Sequence, residues 1–401
     1  MRRIGWDLLP NTFRDAIEVT RELKVQFLWI DSLCIIQDDE DDWKEESSKM
    51  ASVYRNSYLT ICATAGESDD AGLWHRLPTG TSTKVIIQHT AKQYEVYFRK
   101  VGVTRFLHTD SESGIHLREI GLFSPLITRG WTLQERLLSP RLLHYGHGDS
   151  LYMAGTKRFS NVVRNMQTSS YHDEVENCWR LLVEHYSTLR LTLSKDVLPA
   201  VSALANICSA ARPGDRYLVG LWERSIIDDM CWRKIDVLTN RPDTWRAPSW
   251  SWASITGQIG YFSASIVNKA YSRLIRASTQ LAGSDPMGEV LSASVVLKGP
   301  VREAIITDVY PRHFQVVTRL ASVDCYADSW TDFRKGLIEF GAAIFCLRLR
   351  SHFASDLIMI LVEVDGKPNV YQRVGIVGVK TDEADQYWFG DDIQDREIEI
   401  V

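Results

Sequence analysis

The sequence predicts an α/β amino-terminal half built on a parallel sheet, followed by a mixed α+β region with a β-rich end. Two observations carry this. Across residues 11–63 the apolar spacing runs helix, strand, helix, strand, an order that a parallel sheet with helices on its faces satisfies. Beyond about residue 263, strand-like runs dominate, at 290–298, 304–306, 357–364 and 374–379.

The elements follow in order. Pro10, Asn11 and Thr12 stand before Phe13, Ala16, Ile17, Thr20 and Leu23, which recur at the period of an amphipathic helix. Val25 to Ile30 reads as a short buried strand that ends at Asp31, and an acidic loop follows. A second helix runs from Trp43 to Tyr54, with Ser47 and Met50 on the same face. A second strand covers Tyr58 to Ala63 and is closed by Gly66. Weaker patterns predict strands at 84–88 and 94–98, a helix at 128–138, and a strand at 141–145 after the Ser139-Pro140 break. The polar, patternless stretch 155–170 marks a boundary, so the expected domains are 1–155 and 171–401. Helices are expected at 174–187 and 195–210. Trp222, Trp232, Trp245, Trp250 and Trp252, five of the 13 tryptophans, crowd into one stretch, which predicts a packed subdomain rather than a linker.

Composition narrows the function. A chain of 401 residues has room for two cores, since single cores stop growing near ~250–300 residues. The net charge of −5 gives no electrostatic reason to expect nucleic acid or an anionic membrane as partner. The seven cysteines are scattered, without CxxC spacing, so reduced thiols and no metal site are expected. No apolar run approaches the ~18 residues of a membrane span, and no secretory signal follows Met1. A soluble, cytoplasmic protein is the expectation.

Two constellations stand out. In Leu28-Trp29-Ile30-Asp31-Ser32-Leu33-Cys34, Asp31 falls at the carboxyl end of the first strand, where open α/β sheets bind ligands. It serves equally well as a cap for the loop. In Arg129-Gly130-Trp131-Thr132-Leu133-Gln134-Glu135-Arg136, Trp131 and Glu135 are four apart and share a helical face. An indole beside a carboxylate suits a planar, cationic ring. The alternative is a core tryptophan beside a glutamate paired with Arg129 or Arg136. The acidic run Asp38 to Asp42 lacks calcium-loop spacing and reads as a solvated helix cap. His144 and His147 have no third ligand in view, and Cys34, in an apolar stretch, reads as a buried thiol. Phosphate loops and the GxSxG nucleophile elbow are absent.

Together these segments resemble the heterokaryon-incompatibility (HET) domain of filamentous fungi. The resemblance rests on Leu9 to Ala16, the Trp29 to Gln37 block, Met50-Ala51-Ser52-Val53-Tyr54-Arg55-Asn56-Ser57, and Leu126 through Arg141. Gly220-Leu221-Trp222 and Ala247-Pro248-Ser249-Trp250-Ser251-Trp252-Ala253 resemble the region that follows many such domains. The family pattern opens with a strand ahead of the Leu-Pro helix, whereas here Met1 stands almost at that helix. The resemblance therefore implies a domain lacking its start, with a half-built pocket and an apolar patch near Phe27 and Trp29.

The implied fold is TIR-like (flavodoxin-like), and the implied role is fungal non-self recognition and programmed cell death. TIR-like enzymes that cleave NAD use a glutamate in a Trp-x-x-x-Glu helix. By that resemblance Glu135 is catalytic, and Asp31, Trp131, Arg129 and Gln134 bind the substrate, with the Asp31 and Glu135 carboxyls converging on one cleft. NAD is then a substrate, and no cofactor or metal is implied. The expected partners are a protein sensor or a second copy of the chain, with no nucleic acid and no membrane. The competing expectations are a death-signalling interaction module without chemistry, or an inactive shortened paralogue.

Overall fold

The helix α1, Asn11–Glu22, starts immediately after Pro10, whose carbonyl accepts from the Phe13 and Arg14 amides. Its inner face buries Ala16, Val19 and Thr20, and Thr20 returns its hydroxyl to the Ala16 carbonyl at 2.7 Å. The Asp15 carboxylate and Thr12 hydroxyl accept from the amides of Leu73 (2.7 Å) and Gly72 (3.0 Å), which ties the loop after the first strand back onto α1.

The computed structural model describes residues 4–74, 82–89, 92–99, 105–110, 114–119, 125–146, 151–155, 172–235, 240–262, 269–310, 313–318, 321–390 and 392–401. The chain divides into two compact units, residues 1–165 and 166–401. The boundary stretch expected at 155–170 lies outside the described residues from 156 onward.

In the first unit α1 is followed by a single helical turn, α2 (Asp31–Cys34), and a long helix, α3 (Glu40–Asn56). The acidic run caps α3 as expected: the Asp39 carboxylate accepts from the Asp42 amide at 3.1 Å, and Asp42 from the Ile36 amide at 2.8 Å. Strand β1 (Thr60–Cys62) comes next, then two hairpins, β2 (Ser82–His89) with β3 (Lys92–Arg99) and β4 (Arg105–Asp110) with β5 (Gly114–Glu119). The second hairpin had no expectation in the sequence. Helix α4 (Trp131–Leu138) leads into β6 (Arg141–Tyr145) and β7 (Leu151–Gly155). The sheet order is β1-β6-β7, parallel between β1 and β6 and antiparallel between β6 and β7. Val19, Leu73 and Tyr145 form its small core, with Ile61, Ala63 and Leu143 packed against them.

Three expectations fail here. Residues 25–30 are neither buried nor paired: Phe27 is 81% exposed, and no described strand lies beside them. Ile30 itself has extended backbone angles, but no strand is formed across the segment. A buried parallel strand needs hydrogen-bonding partners along its edges, and among the described residues β1 pairs only with β6. An open groove separates the two instead. For the same reason Asp31 begins a helical turn rather than ending a strand, and Cys34 is exposed rather than buried.

The second unit opens with α5 (His172–Tyr186) and α6 (Pro199–Ala210), the latter helped by proline in its first turn. Around them lie the short pairs β8 (Tyr217–Leu218) with β9 (Leu221–Trp222) and β10 (Trp232–Lys234) with β11 (Ile259–Tyr261). The expected tryptophan subdomain is present: Trp222, Trp232, Trp250 and Trp252 are buried, and only Trp245 is exposed. Gly220, at φ +93°, is its pivot, because its carbonyl accepts from the indoles of Trp179 (2.9 Å) and Trp252 (3.0 Å). A Cβ there would stand 2.6 Å from the Trp252 indole nitrogen.

The β-rich end is an eight-stranded sheet of β12 (Arg273–Leu281), β13 (Val290–Val309), β14 (His313–Val317), β15 (Ser322–Tyr326), β16 (Ala343–His352), β17 (Ser355–Glu363), β18 (Val370–Lys380) and β19 (Asp395–Ile400). The long β13 merges the two strands expected at 290–298 and 304–306, and it pairs with β16 and with β19. Because β16, β17, β18 and β19 also pair in turn, the ring β13-β16-β17-β18-β19 closes on itself. Closure removes the exposed edges that an open sheet of this size would carry.

Candidate functional site

Helix α4 begins at Trp131, directly after Gly130, and its i, i+4 spacing puts Trp131 and Glu135 on one half-open face. The intervening Thr132, Leu133 and Gln134 are buried. Glu135 keeps some surface in contact with solvent, but its carboxyl is desolvated. Burial, reinforced by the negative charge of Asp31, raises its pKa to about 7. Arg129, the Tyr54 hydroxyl and Arg136 oppose that rise without cancelling it. Tyr54, from the end of α3, hydrogen-bonds the Glu135 carboxyl, and its own pKa lies well above the ordinary phenol value through burial and then the charges of Glu135 and Asp31.

The fold therefore brings Asp31, Glu135 and Arg129 into one electrostatic neighbourhood and adds Tyr54. Trp131 meets Trp43 of α3 edge to face at 6.1 Å, and Trp29 meets Tyr54 likewise at 5.8 Å. Arg129 is exposed. Gln134 lies elsewhere: it is 1% exposed, away from the half-open face, and its Oε1 has no hydrogen-bond partner among the described residues. Sequence reasoning placed Tyr54 on the core face of its helix and had no signal that its hydroxyl reaches α4, 81 positions further along.

The other candidates are structural. His144 is buried, its Nδ1 hydrogen-bonds the Thr64 hydroxyl at 2.9 Å, and burial holds its pKa down at about 4. His147 lies outside the described residues. Cys62, beneath the carboxyl cluster, is buried with its thiol pushed up to about 12 by burial and then by Glu135, so it stays protonated. No set of three or more His, Cys, Asp or Glu side chains suited to a metal ion occurs among the described residues. No described helix is long and apolar enough to cross a membrane.

Beside the cluster runs a groove of about 500 Å³, walled by residues 25–31 on one side and 57–61 on the other, with α1 and the end of α3 completing it. Asp31 and Tyr54 belong both to this groove and to the carboxyl cluster.

The unit thus holds a half-buried Trp-x-x-x-Glu helix whose glutamate is electrostatically coupled to a second carboxylate and a tyrosine that line the neighbouring groove. The family model of the heterokaryon incompatibility protein (HET) matches residues 2–135, which span every member of that cluster. Over that stretch the chain is similar to the HET domain. No curated protein and no solved structure matches the chain.

Proposed function

We propose that this protein is a cell-death effector of fungal non-self recognition that cleaves NAD at the nicotinamide glycosidic bond through a TIR-like site. The observation that carries the reading is the desolvated Glu135 carboxyl, hydrogen-bonded by Tyr54 and set beside Asp31. Perturbed carboxyls in a cleft are the usual mark of a working site.

The chemistry asks little more. Nicotinamide in NAD is a cationic leaving group, so no general acid is needed. As the bond from C1′ of the ribose to the ring nitrogen breaks, nicotinamide departs with the bonding electrons as a neutral ring. Water adds to C1′ and loses its proton to solvent. Ionised Glu135 stabilises the oxocarbenium-like ribose in between, as carboxylates do in glycoside cleavage. Trp131 offers an aromatic face to the ring, Asp31 accepts from ribose hydroxyls, and exposed Arg129 meets phosphate.

The test is NAD consumption by the purified chain, together with its toxicity when expressed in fungal cells. Glu135→Gln keeps shape and the Tyr54 hydrogen bond but removes the charge, so both signals should fall by at least a hundredfold. Initial rates should climb as pH rises through about 7, where Glu135 ionises. A folded Glu135→Gln protein that remains fully toxic puts a non-enzymatic interaction module in place of the enzyme.

A further inference from the structure

The outer face of β13, β14 and β15 carries a second set of side chains, remote in kind from the Glu135 cluster. In β14, Phe314 and Val316 are 0% exposed and pack into the core shared with β16, β17 and β18. Alternation therefore turns His313, Gln315 and Val317 to the opposite, outer face. Register extends that face across three strands. His313 stands opposite Tyr326 of β15, and Gln315 opposite Asp324. On the β13 side a bulge sets Asp308 opposite Gln315, while the Thr307 hydroxyl donates to the Gln315 Oε1 at 3.1 Å. Past the bulge, the Tyr310 amide donates to the His313 carbonyl at 2.9 Å, which brings the two rings together.

Two parallel rows result. One is aromatic: Tyr310 and His313 stack at 4.5 Å with 17° between their planes, and Tyr326 follows at 5.8 Å from His313. The other, two residues along each of β14 and β15, is Asp308, Gln315 and Asp324. Tyr310 is 43% and Tyr326 64% exposed, and both aspartates are exposed. Neither Asp308 nor Asp324 has a hydrogen-bond or ion-pair partner among the described residues.

Ring faces and unpaired carboxylates both attract cations and turn away anions such as nucleic acid. A guanidinium suits them best, because it is planar, stacks on rings and pairs with a carboxylate through two N–H groups. The spacing selects further. Asp308 and Asp324 stand two strands apart, about 10 Å at the usual strand interval, so one small cation reaches only one of them. A polyproline II chain repeats every three residues and rises about 9 Å in that repeat. Arginines three apart on such a chain meet both carboxylates, and its next ridge lies on the aromatic row, the kind of surface to which proline-rich segments bind.

We propose that this face binds an arginine-bearing polyproline II segment of a partner protein, laid across β13, β14 and β15. Its arginines pair with Asp308 and Asp324, and its prolines pack on Tyr310, His313 and Tyr326. The site uses no residue of the Glu135 cluster, so it stands or falls separately from NAD cleavage.

The probe is a capped, fluorescein-labelled peptide, Pro-Arg-Ala-Pro-Arg-Ala-Pro, titrated with the full chain and followed by fluorescence anisotropy. It should bind saturably, and replacing both of its arginines by glutamine should weaken it about tenfold. Asp308→Asn combined with Asp324→Asn should weaken the arginine peptide about tenfold, and Tyr326→Ala about threefold. All three positions are exposed, so the circular-dichroism spectrum should not change. Equal binding to the parent and to the double asparagine variant overturns the proposal. So does a lysine version that binds as tightly as the arginine peptide, which reduces the site to charge attraction. A helical peptide of the same charge that binds more tightly overturns it too, as does absence of binding.

Discussion

Each unit of this protein buries ionisable groups, and the two treat them in opposite ways. In the second unit, Arg373 is 0% exposed and fully engaged. Its guanidinium donates to Asp328 at 2.7 and 3.2 Å and to the carbonyls of Met230 and Trp232 at 2.6 Å each, while stacking 3.6 Å from the Trp232 ring centroid. In the first unit, Glu135 is desolvated beside a second carboxylate, and the tyrosine and arginines nearby leave its pKa at about 7. A charge whose partners are all supplied by the fold is a structural pin. One whose environment works against its charge is a group held ready for something else.

The largest expected effect tests the pin. Arg373→Met should leave Asp328 buried without its cation and two carbonyls without a donor, at a cost of about 3–5 kcal/mol measured by urea unfolding. Arg373→Lys should recover less than half of that, because an ammonium reproduces neither the bidentate pair nor the stacking. A loss below about 1 kcal/mol in Arg373→Met would mean that the network is not what holds β10 and β18 together.

The counterpart in the first unit has the opposite sign. The folded chain binds the Glu135 proton more tightly than the unfolded chain does. Its contribution is therefore fully present below pH 4.5 and is lost as pH rises to about 7. At about 1.4 kcal/mol per tenfold change in proton affinity, and allowing for partial solvent contact, ionising Glu135 costs the fold on the order of 2 kcal/mol. Glu135→Gln should match the parent at pH 4 and exceed it in melting temperature at pH 8, with the gap opening between those limits. A gap independent of pH would show that Glu135 is solvated like any surface carboxylate.

The contrast also explains what could be read from the sequence. In the second unit, buried elements declared themselves through continuous apolar runs such as Leu357 to Val362, because both faces of those strands are covered and nothing polar interrupts them. The helices of the first unit were equally plain, since α1 buries one stripe and α3 turns Met50 inward. Residues 25–30 carry the same apolar signature as a buried strand, but burial depends on a neighbour, and local sequence does not record whether one is present. The carboxyl pair was legible as a spacing within α4 and a position near Asp31. Tyr54 was not, because a hydrogen bond between two helices far apart in sequence leaves no periodic trace.

The smallest expected effect returns to residues 25–34, where the sequence misled most. Their apolar composition argues for a buried Cys34, whereas the fold leaves it exposed, alone among the seven cysteines. Cys62, Cys208, Cys231, Cys325 and Cys346 are buried, and Cys178 is half-buried. Thiol accessibility therefore discriminates between a chain whose first strand is packed and one whose first strand is an open wall. In native buffer, a disulfide reagent such as dithiobis-nitrobenzoate should modify one thiol rapidly and Cys178 more slowly, with the other five reacting only on unfolding. Cys34→Ser should abolish the fast phase and leave the melting temperature within about a degree, as exposed substitutions do. A Cys34 that reacts no faster than Cys62 would mean that the segment is packed in solution and that the groove is closed there.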